Sequence, residues 1–230
     1  MTQPPKLAID IWSDVMCPWC VIGWGNLKTA LDQLKGEIEA EIRWHAFELN
    51  PDMAKEGEDR IAYFSKKYGR TTEQSKEILD RMRAAARAAG VSLDYEGEEP
   101  APDMMMWNTF DAHKLLKFAA DSHGAARQTQ LKLALFKAHF NDRRRIGERE
   151  ILLDVAGEAG LDREAAAAAL DNEDLSREIR GEERAAMEMQ MTGVPTMIVA
   201  GRFMIRGAQP PEALIETLRR AAESTSSLHA

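Results

Sequence analysis

Alternating apolar and polar residues, the mark of a strand with one buried face, occur only near the two ends of this chain. Residues 7–12 carry one such run. In residues 38–47, Ile38, Ala40, Ile42, Trp44 and Ala46 alternate with Glu39, Glu41, Arg43 and His45. Residues 196–200 and 203–206 flank Gly201-Arg202, which reads as the tight turn of a hairpin. Roughly between residues 51 and 174 there is helical periodicity and no strand pattern. A sheet made from these pieces must join the two ends of the chain, so the expected fold is α/β with a long all-helical insertion.

Helix signals fill the rest. Cys20, Trp24, Leu27, Leu31 and Leu34 form a stripe at alternating four- and three-residue steps, and Gly36 ends that helix. Thr71 with Gln74 reads as a capping box, with Ile78, Met82, Ala85 and Ala89 as the buried face and Gly90 as the stop. Further helices are expected at residues 105–122, 125–140, 148–159, 163–170, 176–191 and 211–223. Residues 224–230 read as a flexible tail. The resulting division is a discontinuous sheet-bearing domain, 5–50 with 175–223, interrupted by a helical insertion at 51–174.

The two cysteines stand together as Cys17-Pro18-Trp19-Cys20, where the first strand pattern gives way to the first helix. A lone C-x-x-C at that junction reads as a thiol redox site. Cys17 falls at the helix N-terminus, where unpaired amides and the macrodipole favour a thiolate. Pro18 suits the first helical position because its missing N–H costs nothing there. Cys20 belongs to the apolar stripe and Cys17 does not. The pattern therefore makes Cys17 the exposed attacking thiol and Cys20 the sheltered resolving one.

Other chemistries find little support. Of 230 residues, 44% are hydrophobic, enough to bury a core, and the net charge of −8 argues against a nucleic-acid partner. The basic run Arg143-Arg144-Arg145 reads as a solvated helix end. No stretch is long and apolar enough for a membrane span, and residues 1–6 lack an apolar signal region, so a cytoplasmic location is expected. In a reducing cytosol a catalytic dithiol is the better reading of the pair. Zinc wants about four N or S ligands, and the histidines at 45, 113, 123, 139 and 229 show no ligand spacing; no metal and no cofactor is expected. Asp14, three residues before Cys17, reads either as a cap or as a charge opposing the thiolate. His113, beside Asp111 and Asn108, reads either as a proton shuttle or as a packed core histidine. The run Met104-Met105-Met106-Trp107 is either an apolar rim for clients or simply core.

Cys17-Pro18-Trp19-Cys20, the segment Gly193-Val194-Pro195-Thr196 and the helical insert together resemble the DsbA family of thiol-disulfide oxidoreductases, on a thioredoxin-like fold. Phe47-Glu48-Leu49-Asn50-Pro51, Asn108-Thr109 with Ala112-His113, and Gly207-Ala208-Gln209-Pro210 are similar to its cytosolic FrnE-type branch. From the residues alone, Pro195 reads as a strand-start proline, and a trans bond after a helix-stopping Gly193 is open. The resemblance implies a cis-proline loop at Val194-Pro195 packed on the cysteines, with the Val194 backbone free to pair with an extended substrate. It further implies that Asn108 and His113 line the substrate cleft, and Trp107 from the apolar run and Thr196 beside the proline loop are expected to bind substrate with them. The activity so implied is dithiol-disulfide exchange or isomerisation on protein or small-thiol disulfides, with glutathione as a candidate reducing partner. The same inserted fold also resembles kappa-class glutathione transferases and 2-hydroxychromene-2-carboxylate isomerases, which need no second cysteine. A non-catalytic client-binding holdase is a third reading.

Overall fold

The structure is a computed structural model and describes residues 4–226. In chain order its elements are β1 (Lys6–Ser13), α1 (Pro18–Gln33), β2 (Glu39–Ala46), β3 (Glu58–Asp59), α2 (Arg60–Tyr68), α3 (Thr72–Ala88), β4 (Met105–Met106), α4 (Phe110–His123), α5 (Ala125–Phe140), α6 (Arg149–Glu158), α7 (Arg163–Leu170), α8 (Glu173–Glu188), β5 (Thr196–Val199), β6 (Phe203–Arg206) and α9 (Pro211–Ser226). Strands from both chain ends form one sheet in the order β2-β1-β5-β6. β1 and β2 are parallel, as the α1 crossover requires, and β5 and β6 join antiparallel. The architecture is α/β and thioredoxin-like.

Alternation along β1 sends Leu7, Ile9 and Ile11 into the main core with α1 and α9. Trp12 faces the opposite side, against Ala186 of α8 and Met191 just beyond it. The helices between β2 and α8 gather a second core around Leu115, Leu131, Leu135 and Leu152. α5 ties the two halves together: the Gln128 amide donates to the Trp44 carbonyl at 2.7 Å and accepts from the Trp44 N–H at 2.9 Å. This pairing satisfies the backbone of β2 where no further strand lies beside it.

Several expectations shift. The capping box of α3 is present, Ala89 is buried as expected and Met82 and Ala85 pack against the main core, but the most buried positions within the helix are Ser75, Leu79 and Ala86. α1 is buried well beyond its stripe, because α9, α3 and the sheet surround it. α8 begins at Glu173, where the Asn172 side chain accepts the Asp174 N–H at 2.8 Å. The hairpin turn has three residues, with Ala200 and Gly201 at φ +50° and +67°. The expected tail at Ser224 is instead the end of α9, which reaches Ser226; the Thr225 hydroxyl donates to the Ala221 carbonyl at 2.9 Å. Residues 227–230, His229 included, lie outside the described residues.

The segment read as strand-free contains a two-stranded ribbon, Glu58 opposite Met106 and Asp59 opposite Met105. It also contains α2, capped by Asp59 accepting the Ala62 N–H at 2.9 Å and stopped by Gly69 at φ +61°. Two-residue strands carry no readable period. The helix did leave a signal: Ile61, Phe64 and Tyr68 fall at helical spacing between Asp59 and Gly69.

Candidate active site

β1 ends at Ser13, the chain turns through Asp14, and Cys17 is the N-cap residue of α1 with Pro18 in the first turn. No side chain caps this end and Pro18 brings no N–H, so the Cys17 sulfur stands at the positive end of the α1 dipole, which favours an anion there. The Cys17 N–H donates to the Asp14 carbonyl at 3.2 Å, and the Cys20 N–H to the Cys17 carbonyl at 3.0 Å. Both cysteines are free thiols, one helical turn apart.

Cys17 is not exposed as its place outside the stripe suggested: it is 4% accessible, Cys20 is 1%, and Trp19 between them is 41% exposed. What covers Cys17 comes from far along the chain. Its Sγ donates to the Val194 carbonyl at 3.7 Å, a long-range contact that helix periodicity does not report. The Val194–Pro195 peptide bond is cis. The next carbonyl, of Pro195, accepts the Gly207 N–H at 2.8 Å. Thr196 is buried in β5 opposite Trp12, and its hydroxyl closes the turn by donating to the Gly193 carbonyl at 2.8 Å.

Burial pushes the Cys20 thiol well above its ordinary pKa; the neighbouring Cys17 adds to this, while the charge of Lys132 pulls the other way. Asp14 is fully buried and accepts the Leu49 N–H at 2.8 Å. Burial raises its pKa, but His113, the Leu49 amide and Lys132 outweigh it, leaving the carboxyl below its usual range. His113 Nε2 lies 3.8 Å from Asp14 Oδ1, an ion-pair separation too long for a hydrogen bond.

A cleft of about 560 Å³ opens over Cys17, walled by Trp19, Tyr63, Phe64, Tyr68, Met104, Met106 and Val194. Arg60, Lys67, Arg70 and Arg81 also line it, and among its described lining residues none is Asp or Glu. For a chain of net charge −8 this is a strongly biased surface. Arg60 stays cationic at neutrality even though burial, with repulsion from Arg83 and Arg143, lowers it to about 10.

Trp107, Asn108, His113 and Thr196 do not line this cleft. Residues 105–106 are extended, not helical, so neighbours alternate: Met104 and Met106 face the cleft while Met105 and Trp107 join the second core. Asn108 accepts the Phe110 N–H at 3.0 Å and donates to the Met53 carbonyl at 3.0 Å, fixing the start of α4. His113 lies beneath the active-site turn, buried against Asp14. The sequence reading missed Lys67, Arg70 and Tyr68 with α2, and it missed Lys132. That lysine did have a signal, since it occupies the buried stripe of α5 with Gln128, Leu135 and Phe136.

Residues 8–219 match the family described as DSBA-like thioredoxin domain. This chain belongs to that family. Among DSBA-like structures, a probable DsbA oxidoreductase from Streptomyces coelicolor is 31% identical, with TM-score 0.81, covering 94% of this chain and 89% of its own. The Bacillus subtilis protein YwbO, itself uncharacterized, is 28% identical over 87% of this chain and 90% of its own length. The cytosolic disulfide reductase DsbM from Pseudomonas aeruginosa, in a structure with GSH, has TM-score 0.56 and 19% identity, covering 97% of this chain and all of its own; at that identity it shows the DSBA-like fold alone. No helix among the described residues is long and apolar enough to cross a membrane.

Proposed function

We propose that this chain is a dithiol-disulfide oxidoreductase of the FrnE-like branch, working in the cytoplasm on small anionic disulfides and exposed protein disulfides. The observation that carries this reading is the placing of Cys17 at a helix N-cap on the cleft floor, with Cys20 one turn behind it. Cys17 as thiolate attacks one sulfur of the substrate, forming a mixed disulfide and expelling the other sulfur as a thiolate. Cys20 then attacks the Cys17 sulfur, the Cys17–Cys20 bond forms, and the substrate's second sulfur leaves. Two electrons pass to the substrate. Pro18 and Trp19 shape the near lip, and Val194 with Pro195 the far one. Residues 5–50 and 175–223 act as the thioredoxin-like unit, and 51–174 supplies the cleft's other wall.

The cationic lining supports glutathione or a similar polyanionic thiol as partner, as does the GSH in the DsbM structure. Direction follows from potentials: C-x-x-C proteins span roughly −270 to −120 mV, and reduction or isomerisation suits the cytosol. The test is substitution of each thiol. Cys20→Ser should accumulate mixed disulfides while Cys17→Ser forms none. Equal trapping by both variants overturns the assignment. Turnover that survives in Cys20→Ser but not in Cys17→Ser would instead favour the glutathione isomerase or transferase reading, and client binding indifferent to both the holdase.

A further inference from the structure

Lys132 is the buried charged group that this exchange leaves unassigned. It is 0% exposed, and its Nζ has no hydrogen-bond partner. A lysine normally extends its ammonium to water, and sealing one inside costs several kcal/mol unless something answers the charge. Two ring faces do so in part, Phe136 at 5.0 Å and Trp44 at 5.4 Å from Nζ. The same apolar cluster holds Trp44, Phe136, Cys17 and Cys20 together. The titratable groups that act on Lys132 are Cys20 first, then Asp14, then Cys17, all from α1 and the turn before it. β2 presents the Trp44 ring and no charge. His113 of α4 stands behind Asp14, and His139 of α5 is held neutral, its pKa driven down to about 3 chiefly by burial.

Cys20 has the opposite difficulty. To resolve the mixed disulfide it must become a thiolate where water scarcely reaches it. An unsolvated anion needs a fixed cation nearby, and in a low-dielectric interior such a cation acts without direct contact.

We infer that the ammonium of Lys132 is the counter-charge for the Cys20 thiolate during resolution, so that α5 contributes an electrostatic part of the redox site. This rests on the dithiol reading above. In the step, a buffer base takes the Cys20 proton, the thiolate attacks Cys17 Sγ, the bond to the substrate breaks, and its electron pair leaves on the substrate sulfur. Lys132 keeps its own proton throughout and acts as a positioning charge. Burial lowers its pKa to about 8, so the device operates through neutrality and fades in mild alkali.

The probe is 5,5′-dithiobis(2-nitrobenzoate) mixed with the reduced whole chain under stopped flow. The first nitrothiobenzoate reports attack by Cys17 and the second reports resolution by Cys20. In the wild type the second phase should accelerate with pH and then lose slope near pH 8, as Lys132 sheds its proton. Lys132→Met should slow that phase about tenfold near neutrality and remove the break, while the first phase changes by less than about threefold. Glu48, raised by burial to about 8, titrates in the same region, so Glu48→Gln must keep the break. A Lys132→Met protein with the wild-type second phase and break overturns the inference. If that variant does not fold, the Glu48→Gln protein decides: a second phase that rises without a break past pH 8 overturns the inference, and a break supports it. A second phase missing from the wild type, or surviving in Cys20→Ser, would sink the dithiol reading instead.

Discussion

Gly23 of α1 lies beneath the ring of Pro195: a Cβ on Gly23 would stand 2.9 Å from Pro195 Cγ and 3.6 Å from its Cβ. The helix that carries the cysteines and the loop that covers Cys17 thus meet at a position with room for hydrogen alone. Two effects of Gly23→Ala oppose each other. Helix propensity favours alanine by about 1 kcal/mol, but overpacking against a rigid proline ring costs about 1–3 kcal/mol. The ring cannot swing aside as a long side chain would, so the clash should win. The expected result is a lower denaturation midpoint together with slower disulfide turnover, because the Val194 carbonyl is displaced from Cys17. A stabilised variant with unchanged turnover would contradict this.

Glu48 sets a pH dependence of stability. Burial first, then the neighbouring Glu183 charge, raises its carboxyl to about 8, against the opposing pull of Arg180. The folded state therefore binds more protons than the unfolded one between about pH 4.5 and about pH 8, and stability must fall as pH rises through that window. Glu48→Gln should flatten the fall and exceed the wild type by at least about 1 kcal/mol above pH 8, with little difference in mild acid. Urea titrations of both proteins across this range are the measurement.

Trp107 should matter to folding and not to substrate affinity. Its indole packs close to Gly57, where a Cβ would meet Trp107 Cε3 at 2.6 Å, and to Gly147, where it would meet the same atom at 3.1 Å. Trp107→Ala is expected to cost about 3–5 kcal/mol of stability. At a temperature where the variant stays folded, KM for a protein disulfide should be close to wild type; a raised KM with unaltered stability would return Trp107 to the cleft.

The cationic cleft predicts charge selectivity. Lys67 Nζ donates to Asn50 Oδ1 at 2.6 Å and lies 5.2 Å from the Tyr63 ring centre, while Arg70 lies 4.8 Å from that of Tyr68. Reversing both charges, Lys67→Glu with Arg70→Glu, should raise KM for glutathione disulfide about tenfold and leave the neutral hydroxyethyl disulfide nearly untouched. Added salt should erode the wild-type preference, since exposed charges are screened. Equal effects on both substrates would count against an anionic partner.

The chain by itself determined whatever is local. Strand alternation, the capping box of Thr71 and Gln74, and the seat of Cys17-Pro18-Trp19-Cys20 between β1 and α1 depend on residues within a turn or two of each other, so period and capping chemistry reveal them. Gly193-Val194-Pro195-Thr196 was legible for the same reason, as a loop before a hairpin. The tertiary structure alone decided which surfaces meet. Val194 shelters a thiol that its own helix would leave open, and one extended step at Met105–Met106 turns Trp107 away from the cleft and Met106 towards it. Lys132, from α5, is buried against the Trp44 and Phe136 rings of the cluster that also holds Cys20. Packing and Coulomb forces act through space, whatever number of residues separates the partners, and no pattern read along the chain carries that distance.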